Sequence, residues 1–275
     1  MFLTHAPRNP LREFIDYLWL LQDSEAPRRE RILPSGTIEL VVNLDEAEIR
    51  IQNPESPDRY RRFSGAVVSG TYSCPFVCDA TQHKSMLGVH FRPGGAFPFL
   101  GILPSEVTGA HANLADLWGR PALDLRERLC LAATARERFS ITEQILMSRL
   151  RFSRSSHAAV VTALNILGPS GSGASVRDVA REVGLSHRRL VEVFRREVGL
   201  APKLLGRILR FQRVRSLAEA HPPRGWAQLA SMCGYFDQSH LINDFQEFSG
   251  LSPTEYVRLH RPDDRLKCNH VPVQV

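Results

Sequence analysis

The sequence contains no long apolar run. Its best stretches, Tyr17–Leu21 and Ile38–Leu44, fall far short of the ~18 residues a membrane helix needs. The opening MFLTHAPRNP lacks the apolar centre of a signal peptide, so a cytoplasmic location and no membrane partner are expected. Cysteine is scarce. The five residues Cys74, Cys78, Cys130, Cys233 and Cys268 are scattered and odd in number, which argues against a secreted disulfide framework. Signatures of catalysis are missing as well: there is no Gly-x-Ser-x-Gly elbow, no Walker loop and no Gly-x-Gly-x-x-Gly turn. No His-x-His pair occurs, and Cys74-x3-Cys78 has no second close pair to complete a structural zinc site. No catalytic group, metal or cofactor is therefore expected.

What is present is ordinary for a globular protein. Apolar residues make up 43% and charged residues 23% of 275, which excludes a disordered chain, a collagen-like repeat and a coiled-coil rod. The length suggests two domains. The net charge is +6, with an estimated pI of about 9.4, and favours a polyanionic partner. Its distribution says more. Residues 171–261 carry 14 basic and 9 acidic side chains, against 21 and 20 in the remainder, so nearly all the excess sits in one third of the chain.

The first part reads as strand-rich. TIELVVNL (37–44) is β-branched and apolar and follows a Pro34-Ser35-Gly36 turn. Ile49–Gln52 is expected to pair with it as a hairpin, Asn53–Asp58 to form a loop, and Phe63–Thr71 and Ser85–Phe91 to be strands. A small antiparallel barrel or sandwich would accommodate them. From about Pro104 the spacing turns helical, with helices expected over Leu123–Ala133, Ile141–Leu150 and His157–Leu167. Arg151–Ser156 reads as a linker, and 168–175 as a flexible loop.

The segment 175–260 repeats itself. Ala180-x3-Gly184 is followed by Phe194, Gly199 and Pro202; Ala230-x3-Gly234 is followed by Phe245, Gly250 and Pro253. The offset is 50 at the Ala and Gly and 51 from the Phe onward, so the second turn holds one extra residue. Each copy reads as helix, tight turn, helix. Gly184 can take positive φ, Ser186 and Asp237 are sound N-caps, and Leu190, Phe194, Leu241 and Phe245 face inward. The outward face of the first copy carries His187, Arg188, Arg189, Glu192, Arg195 and Arg196. This is the helix-turn-helix pattern, whose second helix enters a major groove by its N-terminal residues. A helix over 202–220 joins the copies and carries Arg207, Arg210 and Arg213 at i, i+3 spacing.

Residues 157–260 resemble the DNA-binding domain of the AraC/XylS family of bacterial transcriptional regulators, through GYFDQSHLINDFQEFSGLSPTEY (234–256) above all. The first part resembles the regulatory domain of one AraC subgroup through ILPSGTIELVVNL (32–44) and GVHFRPGGAF (88–97). Leu204-Leu205 stands where the family commonly has an aromatic, and Asn243 where it commonly has a basic residue. The resemblance implies an α+β protein: a β-rich, cupin-like barrel with helices over residues 1–152 and an all-α domain over 153–275. The latter holds two helix-turn-helix motifs (175–198 and 226–249) joined by a long helix (202–220).

The expected function is sequence-specific binding of double-stranded DNA to regulate transcription, modulated through the first domain. RNA polymerase, a small-molecule effector and a second copy are further expected partners. The expected DNA contacts are Ser186, His187, Arg188, Arg189, Glu192, Arg195, Arg207, Arg210, Gln238, Ser239 and Asn243. Arg188 suits guanine, phosphate or water alone, and Glu192 either cytosine N4 or a pair with Arg188 or Arg195; Arg207 suits the phosphate backbone and His240 local packing. In the first domain His90 suits packing or a pocket, and Glu39 points either into a pocket or to solvent. The rival class is a cupin-like or DNA-repair enzyme that uses the C-terminal domain for targeting.

Overall fold

Leu18, Leu20, Leu40, Val42, Val68, Leu87 and Val89 are all buried and sit at alternate strand positions, so they share one face of a sheet. The computed structural model describes residues 1–22, 29–53, 55–82, 84–150, 156–168, 175–220, 225–259 and 270–273. Among these the strands are β1 (Phe2–His5), β2 (Ile15–Gln22), β3 (Arg29–Ile32), β4 (Glu39–Asn43), β5 (Glu48–Asn53) and β6 (Ser56–Ser64). They continue as β7 (Ala66–Ser69), β8 (Phe76–Asp79), β9 (Ser85–Phe91), β10 (His111–Asn113) and β11 (His270–Pro272). One antiparallel sheet runs β1-β2-β9-β4-β7-β10, the other β11-β3-β8-β5-β6.

The first sheet is covered on both faces. Its Leu18/Leu20 face packs on helices α1 (Phe97–Leu100), α2 (Leu114–Trp118), α3 (Arg120–Leu131) and α4 (Ala135–Leu150). The alternate residues Trp19, Leu21, Val67 and Met86 pack on Ile49 and Ile51 of the second sheet.

The α+β class is as expected, but the barrel is not closed. Among the described residues no ladder joins the two sheets, so the strands form a sandwich backed by helices. The expected hairpin of 37–44 with 49–52 is also corrected. β4 pairs with β7 and β9, and β5 with β6 and β8. Asn43 turns the chain away, its Oδ1 accepting from the N–H groups of Asp45 and Glu46 at 3.0 and 2.9 Å. Most of the expected loop 53–58 belongs to strands. β6 starts at Ser56 and is an edge strand, the place where a sheet tolerates proline. The expected strand 63–71 breaks at Gly65, against which the Arg126 side chain packs.

The C-terminal part is helical: α5 (Ala158–Leu167), α6 (Val176–Glu182), α7 (His187–Val198), α8 (Pro202–Ala220), α9 (Trp226–Met232), α10 (Gln238–Ser249) and α11 (Pro253–Leu259). The boundary expected at 152/153 lies outside the described residues. One core runs through all of this. Leu205, Ile208, Phe211 and Val214 on α8 pack with Leu190 and Phe194 of α7 and with Leu241, Phe245 and Phe248 of α10. Phe211 meets Phe245 edge-on at 5.0 Å between centroids.

The two parts interlock. Leu33 and Val271 belong to the helical core, and β11 returns from the end of the chain to pair with β3. The all-α expectation for 153–275 therefore does not hold at residues 270–272. Thr108 Oγ1 donates to the Gly199 carbonyl at 2.7 Å, and Gln212 Nε2 donates to the Pro34 carbonyl at 2.6 Å.

Candidate nucleic-acid interface and inner cavity

Each helix pair is set by local chemistry. Gly184 and Gly234 turn at φ 69° and 76°, a region that side chains with a Cβ disfavour. Ser186 Oγ then accepts from Arg189 N at 3.2 Å, and Asp237 Oδ1 from His240 N at 2.7 Å, satisfying free amides at the starts of α7 and α10. Gly199 and Gly250 end these helices in the left-handed conformation.

Once Leu190, Val193, Phe194 and Val198 are buried, α7 exposes His187, Arg188, Arg189, Glu192, Arg195 and Arg196. Ser186 is exposed beside them. Arg189 pairs with Glu192 at 3.0 Å on the open surface, so neither is a fully free reader. Arg188 has no described ion-pair partner. Glu197 is a structural tie the sequence pattern did not single out. It is buried, accepts from His157 N at 2.8 Å and pairs with Arg196 at 3.1 Å, tying α7 to the start of α5. Only its place one residue before Val198 on a half-apolar face hints at this.

In the second motif Gln238, Ser239, His240 and Asn243 are exposed. His240 sets its ring edge-on to buried Tyr235 at 5.3 Å, a packing position. The connecting helix behaves differently from a free basic stripe. Arg207 is a quarter exposed. Its Nε and Nη2 donate to Asp244 Oδ1 at 3.1 and 2.7 Å, and its Nη1 donates to Glu247 Oε1 at 3.1 Å. These carboxylates hold its pKa well above the usual arginine value against the opposing effect of burial, with the Glu247 hydrogen bond contributing most. The side chain expected on phosphate is thus engaged inside the protein as a brace between α8 and α10. Arg210 lies over the Tyr235 ring at 5.4 Å, and its Nε is buried with no hydrogen-bond partner among the described residues.

The N-terminal part holds a small apolar cavity of about 60 Å³ between the sheets, lined by Phe2, Trp19, Val41, Ile51, Phe76 and Met86, with Glu39, Ser69 and His270 as polar members. Strand register sets a row of polar and aromatic residues beside it, of which Glu39 and Ser69 line the cavity. Tyr17, His90, Glu39, Ser69 and His111 are successive cross-strand partners on β2, β9, β4, β7 and β10. Tyr17 stacks on His90 at 4.8 Å, and His90 Nδ1 lies 3.6 Å from Glu39 Oε1. Ser69 Oγ and His111 Nδ1 share a hydrogen bond at 3.0 Å.

Glu39 points inward and accepts from Trp19 Nε1 at 2.7 Å. Gly88 makes that reach available, since a Cβ there would stand 2.0 Å from Trp19 Cε2. Burial pushes the Glu39 carboxyl pKa up, but His90, Trp19 and His270 together bring it below the usual value. His270 donates from Nδ1 to Glu30 Oε2 at 2.7 Å. His111 is pushed down to about 3 by burial and by Arg61, which keeps it neutral. Cys78 is buried and donates to the Glu30 carbonyl, while Cys74 is exposed. Among the described residues no group of three or more His, Cys, Asp or Glu could hold a metal ion, and no helix is long and apolar enough to cross a membrane.

Residues 179–259, from within α6 to the end of α11, match the family described as a helix-turn-helix domain. This segment is a helix-turn-helix domain. Residues 3–113 match a family described as a domain of unknown function, DUF6597. The Msm operon regulatory protein of Streptococcus mutans is 26% identical over 154 residues, which is 55% of this chain and 55% of that protein. The chain thus matches about half the length of that curated relative.

Among solved structures, unsaturated fatty acid-bound ToxT from Vibrio cholerae is 11% identical, with 93% of this chain and 94% of that one covered at a TM-score of 0.48. The C-terminal domain of AraT, a response regulator from Geobacillus stearothermophilus, is 20% identical, with 41% and 93% covered at a TM-score of 0.37. The helix-turn-helix match covers most of the positive third of the sequence and the duplication within it.

Proposed function

We propose that this chain is a transcriptional regulator that binds duplex DNA through both motifs and responds to a small molecule held by its first part. The observation that carries the reading is the pair of capped second helices, α7 and α10. Each presents exposed polar residues at its N-terminal end and is set on one shared core with α8. The nineteen residues of α8 span roughly 28 Å at 1.5 Å each, close to the ~34 Å between successive major-groove faces. Ser186, His187, Arg188, Arg195, Gln238, Ser239 and Asn243 are the contacts on this reading, with Arg189 and Glu192 as a coupled pair and Arg210 beside the second turn. The chain works in the cytoplasm, where the DNA is, by binding without bond chemistry. RNA polymerase and a second copy act as further partners.

Strand β3 supports the coupling of effector to DNA. Ile32 lines the cavity and Glu30 holds His270, while the intervening Arg31 donates to the Ser249 carbonyl at the end of α10, at 3.0 Å. A ligand that moved Ile32 or His270 would shift the grip on the second motif. The test combines selection of duplexes by the full chain with a thermal-shift screen of small molecules. A molecule that stabilises the chain and changes its DNA affinity supports the reading. A hit that the protein chemically converts contradicts it.

A further inference from the structure

The extra residue in the second turn is Phe236. In the first motif Leu185 is followed directly by the cap Ser186; in the second, Phe236 stands between Tyr235 and the cap Asp237. The two aromatic neighbours part company. Tyr235 is buried beneath Arg210, whereas Phe236 is 93% exposed, the most exposed large apolar side chain among those described. It stands at the head of α10 beside exposed Gln238 and Ser239. A phenyl ring held there is almost wholly exposed among the described residues.

We propose that Phe236 is a base-reading residue of the second motif, packing its ring against the 5-methyl group of a thymine in the major groove. This assignment rests on the DNA-binding reading above. The head of a second helix is the part that reaches base edges. Among the four bases only thymine offers an apolar group on the major-groove edge. The surroundings suit DNA rather than an apolar protein partner, because the ring is followed in the chain by exposed, hydrogen-bonding Gln238 and Ser239. The two motifs then read differently: the first through charge at Arg188, the second through apolar contact at Phe236.

The test uses the full chain and a duplex it selects from a random pool. Each thymine is replaced singly by deoxyuridine, which lacks only the methyl group, and affinity is measured for the native protein and for Phe236→Ala. The native protein should lose roughly fourfold at one thymine, the value of one buried carbon. Phe236→Ala should bind the two duplexes equally at that position and melt like the native protein. Full methyl sensitivity retained in Phe236→Ala overturns the assignment, as does a native protein indifferent to every replacement. A change in self-association with methyl sensitivity intact also overturns it, placing the ring in a protein contact. If the full chain enriches no duplex, the regulator reading falls and takes this assignment with it. Enrichment without methyl sensitivity overturns this assignment alone.

Discussion

Arg207 on α8 and Asp244 on α10 form an ion pair whose acidic partner is sealed from water: Nη2 lies 2.7 Å from Oδ1, and the Asp244 side chain is 2% exposed. Removing one member leaves a buried charge uncompensated, which is far costlier than losing a surface pair. Arg207→Ala should destabilise the chain by about 3 kcal/mol and weaken binding to all duplexes in parallel, as seen by calorimetric melting and by titration. Arg207→Leu combined with Asp244→Leu should recover much of the loss. A variant with native melting and a reduced salt slope would make Arg207 a phosphate contact after all.

Phe194 and Phe245 occupy corresponding places in the two motifs, and each is at most 1% exposed. Phe194→Ala and Phe245→Ala should each cost about 3–5 kcal/mol, read by chemical denaturation. Stability within experimental error of the native protein would mean that the helix faces are assigned wrongly.

Gly88→Ala should displace the Trp19 indole, because the new methyl carbon would stand 2.0 Å from Cε2. The bond from Trp19 to Glu39 would break, with a stability loss of about 1–3 kcal/mol for overpacking. The indole N–H resonance of Trp19 reports this directly. An unmoved resonance would show that the cavity wall yields.

His270 gives the fold a pH signature. Burial pushes its pKa down, but Glu30 and then Glu39 outweigh that and hold it above 6.5, against a smaller opposing effect of Arg215. A pKa raised by folding contributes stability that is full below the unfolded value of about 6.5 and is lost as pH rises through the folded value. Melting temperature should therefore decline above about pH 6.5, and His270→Asn should flatten that decline. An identical decline in the variant would assign it to other groups.

The C-terminal domain was legible because its signals are local. Gly184, Ser186 and Asp237 mark turns and caps in sequence, and the duplication fixes which faces meet. The first part was less so. β2 escaped because IDYLWLLQ belongs to a sheet covered on both faces and shows no alternation to read. β11 escaped because three residues pair only when β3 is already in place. The row from Tyr17 to His111 depends on register across five strands, which no spacing within one strand reveals. The ion pairs of Arg207 were not legible because its stripe on α8 is visible in sequence, whereas Asp244 and Glu247 reach it from 37 and 40 residues away.

Arg188 separates base reading from general attraction. It is exposed at the start of α7, with no described ion-pair partner. Arg188→Ala should cost about 1–3 kcal/mol at the selected duplex and relax preference at one base pair. An equal loss on every sequence would make it a phosphate contact.

The proposed grip on duplex DNA uses two motifs joined by α8. Affinity of the full chain for its selected duplex, measured across a series of salt concentrations, tests it most directly. Each phosphate engaged adds about 0.9 to the slope of log affinity against log salt. A steep linear fall equivalent to several phosphates is expected. Binding that ignores salt, or no binding even at low salt, would contradict it.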